Sequence, residues 1–164
     1  MKSFKEFLEE EKKKSYQIYC DMDGVLVDFI DGIQQELNIS REPTQKEITT
    51  FLSTLYGSSK EFWSELDWMS DGKRLWDTLK DLNTEILTAC PDNCKLQPSV
   101  IRGKKMWCKS NLKISSGVNV TTRKGKLKFV GPKNILIDDF IKNVNNWKAK
   151  GGIGIHHRNA RATL

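Results

Sequence analysis

The 164-residue chain contains no apolar run approaching the roughly 20 residues that cross a bilayer, which excludes a membrane-spanning helix. Its start, "MKSFKEFLEEEKKK", lacks the apolar stretch of a secretory signal, so a cytoplasmic protein with no membrane partner is expected. Four cysteines in such a chain do not make a disulfide framework. "CPDNC" (90–94) has no second pair to complete a zinc site, so Cys20, Cys90, Cys94 and Cys108 read as structural or incidental thiols. Only two histidines occur, His156 and His157, side by side on a predicted rim, and no chemistry is assigned to them. Acidic residues are missing altogether from 93–137, where 11 Lys and Arg stand unopposed. Residues 1–92 carry 11 bases against 19 acids. The net charge of +6 therefore conceals a negative first half and a basic block able to draw phosphate towards it. Much of that block also reads as an ordinary solvated face.

What is present alternates. Apolar runs at "YQIYCDMD", "TEILTACP", "SGVNVTT", "GPKNILIDDF" and "IGIHH" read as five strands. Between them, "GVLVDFIDGIQQELNI", "SREPTQKEI", "SKEFWSELDWMSDGKRLWDTLKDLN", "SVIRGKKMWCKSNL" and "IKNVNNWKAKGG" show helical spacing. The fourth is expected to loosen at Gly103, and the fifth to stop at its glycines. Strands of continuous apolar character alternating with helices imply an α/β fold with a central parallel sheet. The expected division is an N-terminal helix or leader over 1–15, a core over 16–27 and 83–164, and a small helical cap over 28–82 inserted after the first strand.

Ligands of such sheets bind beyond the carboxyl ends of the strands. Asp21 with Asp23, Thr88, and Asp138 with Asp139 all fall at such ends. Carboxylates packed this closely repel one another, and a hard, oxygen-loving cation, most simply Mg²⁺, offsets that cost. The same cation would neutralise a phosphate, letting one Asp attack it while the other, two residues on, moves protons. Thr88 and a lysine would hold the phosphoryl oxygens.

"DMDGVLVDF" resembles motif I (DxDGxL) of the haloacid dehalogenase (HAD) superfamily, "ILTA" its motif II and "ILIDD" its motif IV. "EFWSELDWMSDGKRLW", "GKKMW", "TRKGK" and "LIDDFIKNVNNWKAKGGIGIHH" resemble the 5'(3')-deoxyribonucleotidases and their bacterial and phage relatives. The resemblance implies a Rossmann-like HAD core. It implies Asp21 as nucleophile and metal ligand, and Asp23 as general acid/base binding the metal through its carbonyl. Thr88 would hold the phosphoryl group, and Asp139, with Asp138 beside it, would hold Mg²⁺. Lys126 is the favoured motif III lysine, with Lys104 as a phosphate or base contact and Arg123 opening the R-x-x-K pattern. The cap aromatics Phe62, Trp63 and Trp76, with Phe29 at the mouth, are candidates to stack on a nucleobase; the same side chains at helical spacing also suit a cap core. The family often carries an arginine after the acidic pair, where this chain has Phe140. The start also resembles short leaders of some tailed-phage proteins, which would place the enzyme in a host cytoplasm, though a docking helix is the plainer reading.

The implied activity is Mg²⁺-dependent hydrolysis of (deoxy)nucleoside monophosphates through an aspartyl-phosphate. A polynucleotide 3'-phosphatase acting on nucleic-acid ends is the alternative that the basic block suggests. A catalytically silent nucleotide-binding module is a third, opposed by the intact set Asp21, Asp23, Thr88 and Asp139.

Overall fold

The computed structural model describes residues 16–90 and 97–164. The expected leader and Cys94 lie outside them. The first strand, β1 (Gln17–Cys20), is followed by four short helices: α1 (Phe29–Leu37), α2 (Gln45–Leu52), α3 (Lys60–Glu65) and α4 (Gly72–Leu79). Then come β2 (Thr84–Ala89), α5 (Pro98–Trp107) running into a π-helical turn (Cys108–Leu112), and β3 (Val118–Thr121). A 3₁₀ turn (Gly125–Phe129), β4 (Asn134–Asp138), α6 (Ile141–Ala149), β5 (Ile153–His156) and α7 (Ala160–Thr163) complete the chain.

All strand pairs are parallel, in the order β3-β2-β1-β4-β5. Alternation along the strands feeds two cores, one on each face. Ile18, Cys20, Ile86 and Ile137 pack with the first four helices and α5. Tyr19, Leu87 and Leu136 pack with Trp147 of α6 and Phe129 of the 3₁₀ turn. The sheet is thus the doubly covered, Rossmann-like α/β arrangement, buried on both faces as parallel strands require. The order reverses between β1 and β4, which opens a crevice at their carboxyl ends.

Local chemistry sets the helix limits. Asp28 caps α1 through the Asp31 amide, and Asn38 ends it in a left-handed conformation. Thr44 and Glu47 form a reciprocal capping box on α2. Ser59 caps α3. The long aromatic stretch from 59 to 83 divides into two helices, with α4 starting at the glycine of "SDG".

Gly103 does not loosen α5, which runs through it. A Cβ there would lie 2.6 Å from both the Lys60 carbonyl oxygen and the Trp63 Cβ. The glycine is there because α5 presses against α3. The helix loosens instead one turn later, at the π-helical segment.

Candidate active site

β1 ends at Cys20, paired with Ile137 of β4, so the next residue of each strand, Asp21 and Asp138, stand side by side. The Asp21 amide donates to the Ile137 carbonyl at 2.8 Å, which fixes that placement. The chain then turns tightly: the amides of Leu26 and Val27 both donate to the Met22 carbonyl at 2.9 Å, and Gly24 takes φ +75°. A Cβ at Gly24 would lie 2.2 Å from Asp139 Oδ2, so this position combines a left-handed backbone with a close approach that only glycine satisfies. The turn aims Asp23 into the same cleft as Asp21 and Asp139.

Two buried lysines hold these carboxylates in order. Lys126, 2% exposed, lies 2.9 Å from Asp21 Oδ2 and donates to Asp138 Oδ2 at 2.7 Å. Lys104, fully buried, donates to Asp23 Oδ2 at 2.5 Å and to Thr88 Oγ1 at 3.1 Å. The two lysine candidates therefore serve different carboxylates. Asp138 is fully buried and saturated: the Phe140 amide and the Asn143 side-chain amide also donate to it. Asn143, which the sequence offered only as part of a family likeness, thus anchors the acidic pair. Asp23 Oδ1, in contrast, is buried with no hydrogen-bond partner among the described residues.

Four carboxylates face two ammonium groups here, an excess of two negative charges. Burial pushes the Asp21 carboxyl up to about 6, against the pull of Lys126 and with a further push from Asp138. Burial also raises Asp23, opposed by Lys104. Asp139 is exposed at the rim, but the protein packed around it and the charges of Asp21, Asp138 and Asp23 raise it to about 7. Carboxyl oxygens of Asp21, Asp138 and Asp139 lie within 4.8 Å of one another. An all-oxygen cluster with two uncompensated charges fits a hard divalent cation. Asp138 is the most heavily engaged of the three, by Lys126, Asn143 and the Phe140 amide and with no exposure, whereas Asp21, which accepts from Lys126 and the Met22 amide, and Asp139 both line the cleft.

The cleft has a volume of about 740 Å³. Phe29 and Trp63 line it, stacked on each other at 5.3 Å and 11°. Trp63 also lies 4.3 Å beneath the Lys104 ammonium and donates its indole N–H to the Gly57 carbonyl. Phe62 and Trp76 do not line the cleft; both are buried in the core, Phe62 edge-on against Phe51. Arg123 does line it, with its guanidinium 4.8 Å over the Phe140 ring. A different element thus brings a cation to Phe140. His157 is buried, its Nδ1 2.8 Å from Thr163 Oγ1, whereas His156 Nε2 meets the Asp139 carbonyl at 2.9 Å. Cys20 and Cys108 are buried free thiols, and Cys90 is buried.

Sequence reasoning missed the contribution of α2, whose Gln45, Ile48, Thr49 and Leu52 line the same cleft. Their spacing of three, four and seven is legible as one helical stripe, but nothing in it says which way the stripe faces. Among the described residues no helix is long and apolar enough to cross a membrane.

No protein-family model matches the chain, and no curated protein matches it. Among solved structures it is similar to a hydrolase from Streptococcus pneumoniae TIGR4, at 12% identity and a TM-score of 0.47. The match covers 88% of this chain and 94% of that one. At that distance the chemistry has to be read from the site's own residues.

Proposed function

We propose that the chain is a Mg²⁺-dependent phosphomonoesterase of the haloacid dehalogenase type that hydrolyses (deoxy)nucleoside monophosphates. The observation that carries this reading is the pair formed by Asp21 and Asp23. Asp21 presents a carboxylate steadied by Lys126, and Asp23, two residues on, keeps one buried oxygen without a partner. A nucleophile and a proton carrier are thus held on one tight turn, in one cleft, with Thr88 and Lys104 behind Asp23.

In the first step an Asp21 oxygen attacks phosphorus. The bond from phosphorus to the substrate oxygen breaks as Asp23 Oδ1 gives its proton to the departing alcohol. The raised proton affinity of Asp23 suits that role. In the second step Asp23, now ionised, takes a proton from water. The water oxygen attacks phosphorus, phosphate leaves, and the Asp21 carboxylate is restored. Lys126 and Arg123 supply positive charge for the phosphoryl oxygens. A Mg²⁺ ion held by Asp21 and Asp139 would supply charge neutralisation of the phosphate. Phe29, backed by the buried Trp63, offers a base its apolar contact.

A second reading, hydrolysis of 3'-phosphorylated polynucleotide ends, draws on a smaller groove beside the cleft. Arg123, Lys124 and Lys142 line it, a surface suited to backbone phosphates.

Phosphate release with Mg²⁺ and with EDTA separates these readings. The panel holds 5'- and 3'-nucleoside monophosphates, a 3'-phosphorylated oligonucleotide and sugar phosphates. Mg²⁺-dependent release from the mononucleotides is expected. Release from the oligonucleotide alone would transfer the function to end processing. No release from any of them would leave a binding module.

A further inference from the structure

We infer that α2 is the wall that reads the alcohol half of the substrate, with Gln45 as its specificity-determining residue. This rests on the phosphomonoesterase reading and narrows the substrate to the ester of an uncharged, partly apolar alcohol bearing a hydrogen-bonding edge, as a nucleoside is.

Four residues of α2 face the cleft, at positions 45, 48, 49 and 52. That is one stripe of an α-helix, so the whole exposed turn-to-turn face is committed to the cavity rather than a single chance side chain. Its chemistry is specific. Ile48 and Leu52 are aliphatic, Gln45 carries an amide and Thr49 a hydroxyl; none is charged. The charges of this helix are turned elsewhere: Glu47 is bound by Thr44 and Arg41, and Lys46 lies outside the stripe. A wall meant for a second phosphate would present cations, and one meant for a bare sugar would present polar groups alone. Aliphatic surface interrupted by an amide complements a flat ring with a polar rim.

Gln45 is the group on this wall able to both donate and accept. Thr49 Oγ1 already donates to the Gln45 carbonyl at 2.8 Å, so it offers the cleft acceptor capacity only. Among the described residues the Gln45 amide is held only by a long 3.4 Å contact to that same hydroxyl. It can therefore turn to the substrate at little cost. Phe29 is stacked on Trp63, which is fully buried beneath it with the Lys104 ammonium also over its ring, so a ring entering the cleft meets Phe29 and α2 rather than sliding between the two aromatics.

The test has two arms. In the first, kcat/KM is measured for the nucleoside 5'-monophosphates and for ribose 5-phosphate, with wild type, Gln45→Ala and Gln45→Glu. Loss of the amide should lower the nucleotide-to-ribose-phosphate ratio about five- to tenfold, mainly through KM, as expected for one or two hydrogen bonds. Gln45→Glu, which keeps the size and loses the donors, should reorder the bases. An unchanged ratio and order would overturn the assignment. The second arm does not need turnover: the Ile48 δ-methyl is followed by NMR while a nucleoside without phosphate is added. A saturable shift of that methyl, weakened in Gln45→Ala, supports the wall even if no phosphate ester were hydrolysed, which would defeat the enzymatic reading alone. No shift with any nucleoside would overturn the wall, even if hydrolysis were observed.

Discussion

Raising the pH should destabilise the metal-free protein, and a divalent cation should reverse the loss. Asp21 and Asp139 bind their protons more tightly in the folded chain, with values of about 6 and about 7, than an ordinary aspartate does. The unfolded chain therefore releases these protons first. Their contribution to stability is complete below about pH 4 and is lost as the pH rises through 6 and 7. For Asp21, 7% exposed, a shift of about two units corresponds to at most about 3 kcal/mol. About half of that, roughly 1.4 kcal/mol, is lost between pH 5 and pH 8 and the rest below pH 5, so for a domain of this size Tm should fall by up to about 3–6 °C across that interval. Asp139 is exposed and screened by solvent, so it adds to the direction and not to the figure. On the proposed reading Mg²⁺ binds the ionised cluster, so its stabilisation should grow over the same interval. At about ten times its dissociation constant it should return about 1.4 kcal/mol. The assay is thermal unfolding at pH 5, 6, 7 and 8, with EDTA and with Mg²⁺. Asp139→Asn should raise the metal-free Tm at pH 8 and shrink the Mg²⁺ gain. A metal-free Tm that is flat from pH 5 to 8, with no Mg²⁺ effect, would refute the claim that two uncompensated charges sit on this rim.

Other changes should separate chemistry from scaffolding. Asp21→Asn should lower phosphate release at least about a thousandfold with an unchanged circular dichroism spectrum, since in the proposed mechanism it removes the attacking group. Lys104→Met should cost about 3 kcal/mol in urea unfolding, because it leaves Asp23 without its cation and removes the ammonium over Trp63. Adding Asp23→Asn to it should recover part of that stability while activity stays lost; a purely additive double variant would disprove the pairing. Gly103→Ala should cost about 1–3 kcal/mol by forcing α5 off the Lys60 carbonyl, and stability equal to wild type would show that the helices can part freely.

Much of the frame was legible because its signals are local. Five apolar runs with helical spacing between them imply a parallel sheet, and the register between β1 and β4 then brings Asp21 beside Asp138. Asp21, Asp23 and Asp139 line one cleft because each stands at or just past the end of its strand, whereas Thr88, one residue short of the end of β2, is fully buried against Lys104. The aromatic residues were less legible, since burial and stacking on a ligand use the same side chains at the same helical spacing. Phe29 and Trp63 reach the cleft, whereas Phe62 and Trp76 fill the core. The acid-free basic block looked like one surface. Two of its lysines, Lys104 and Lys126, are instead drawn inside by the carboxylates they neutralise.

By itself, then, the sequence determined the strand and helix alternation, the doubly covered sheet and the line of acids at its carboxyl edge, because period, capping and strand termination act within a few residues. Only the tertiary structure decided which lysine faces which aspartate, which aspartate keeps an oxygen without a partner, and that α2 turns its uncharged stripe into the cleft. Those outcomes depend on contacts between segments dozens of residues apart. There, the cost of burying a charge is met or left unmet by whatever the fold brings beside it.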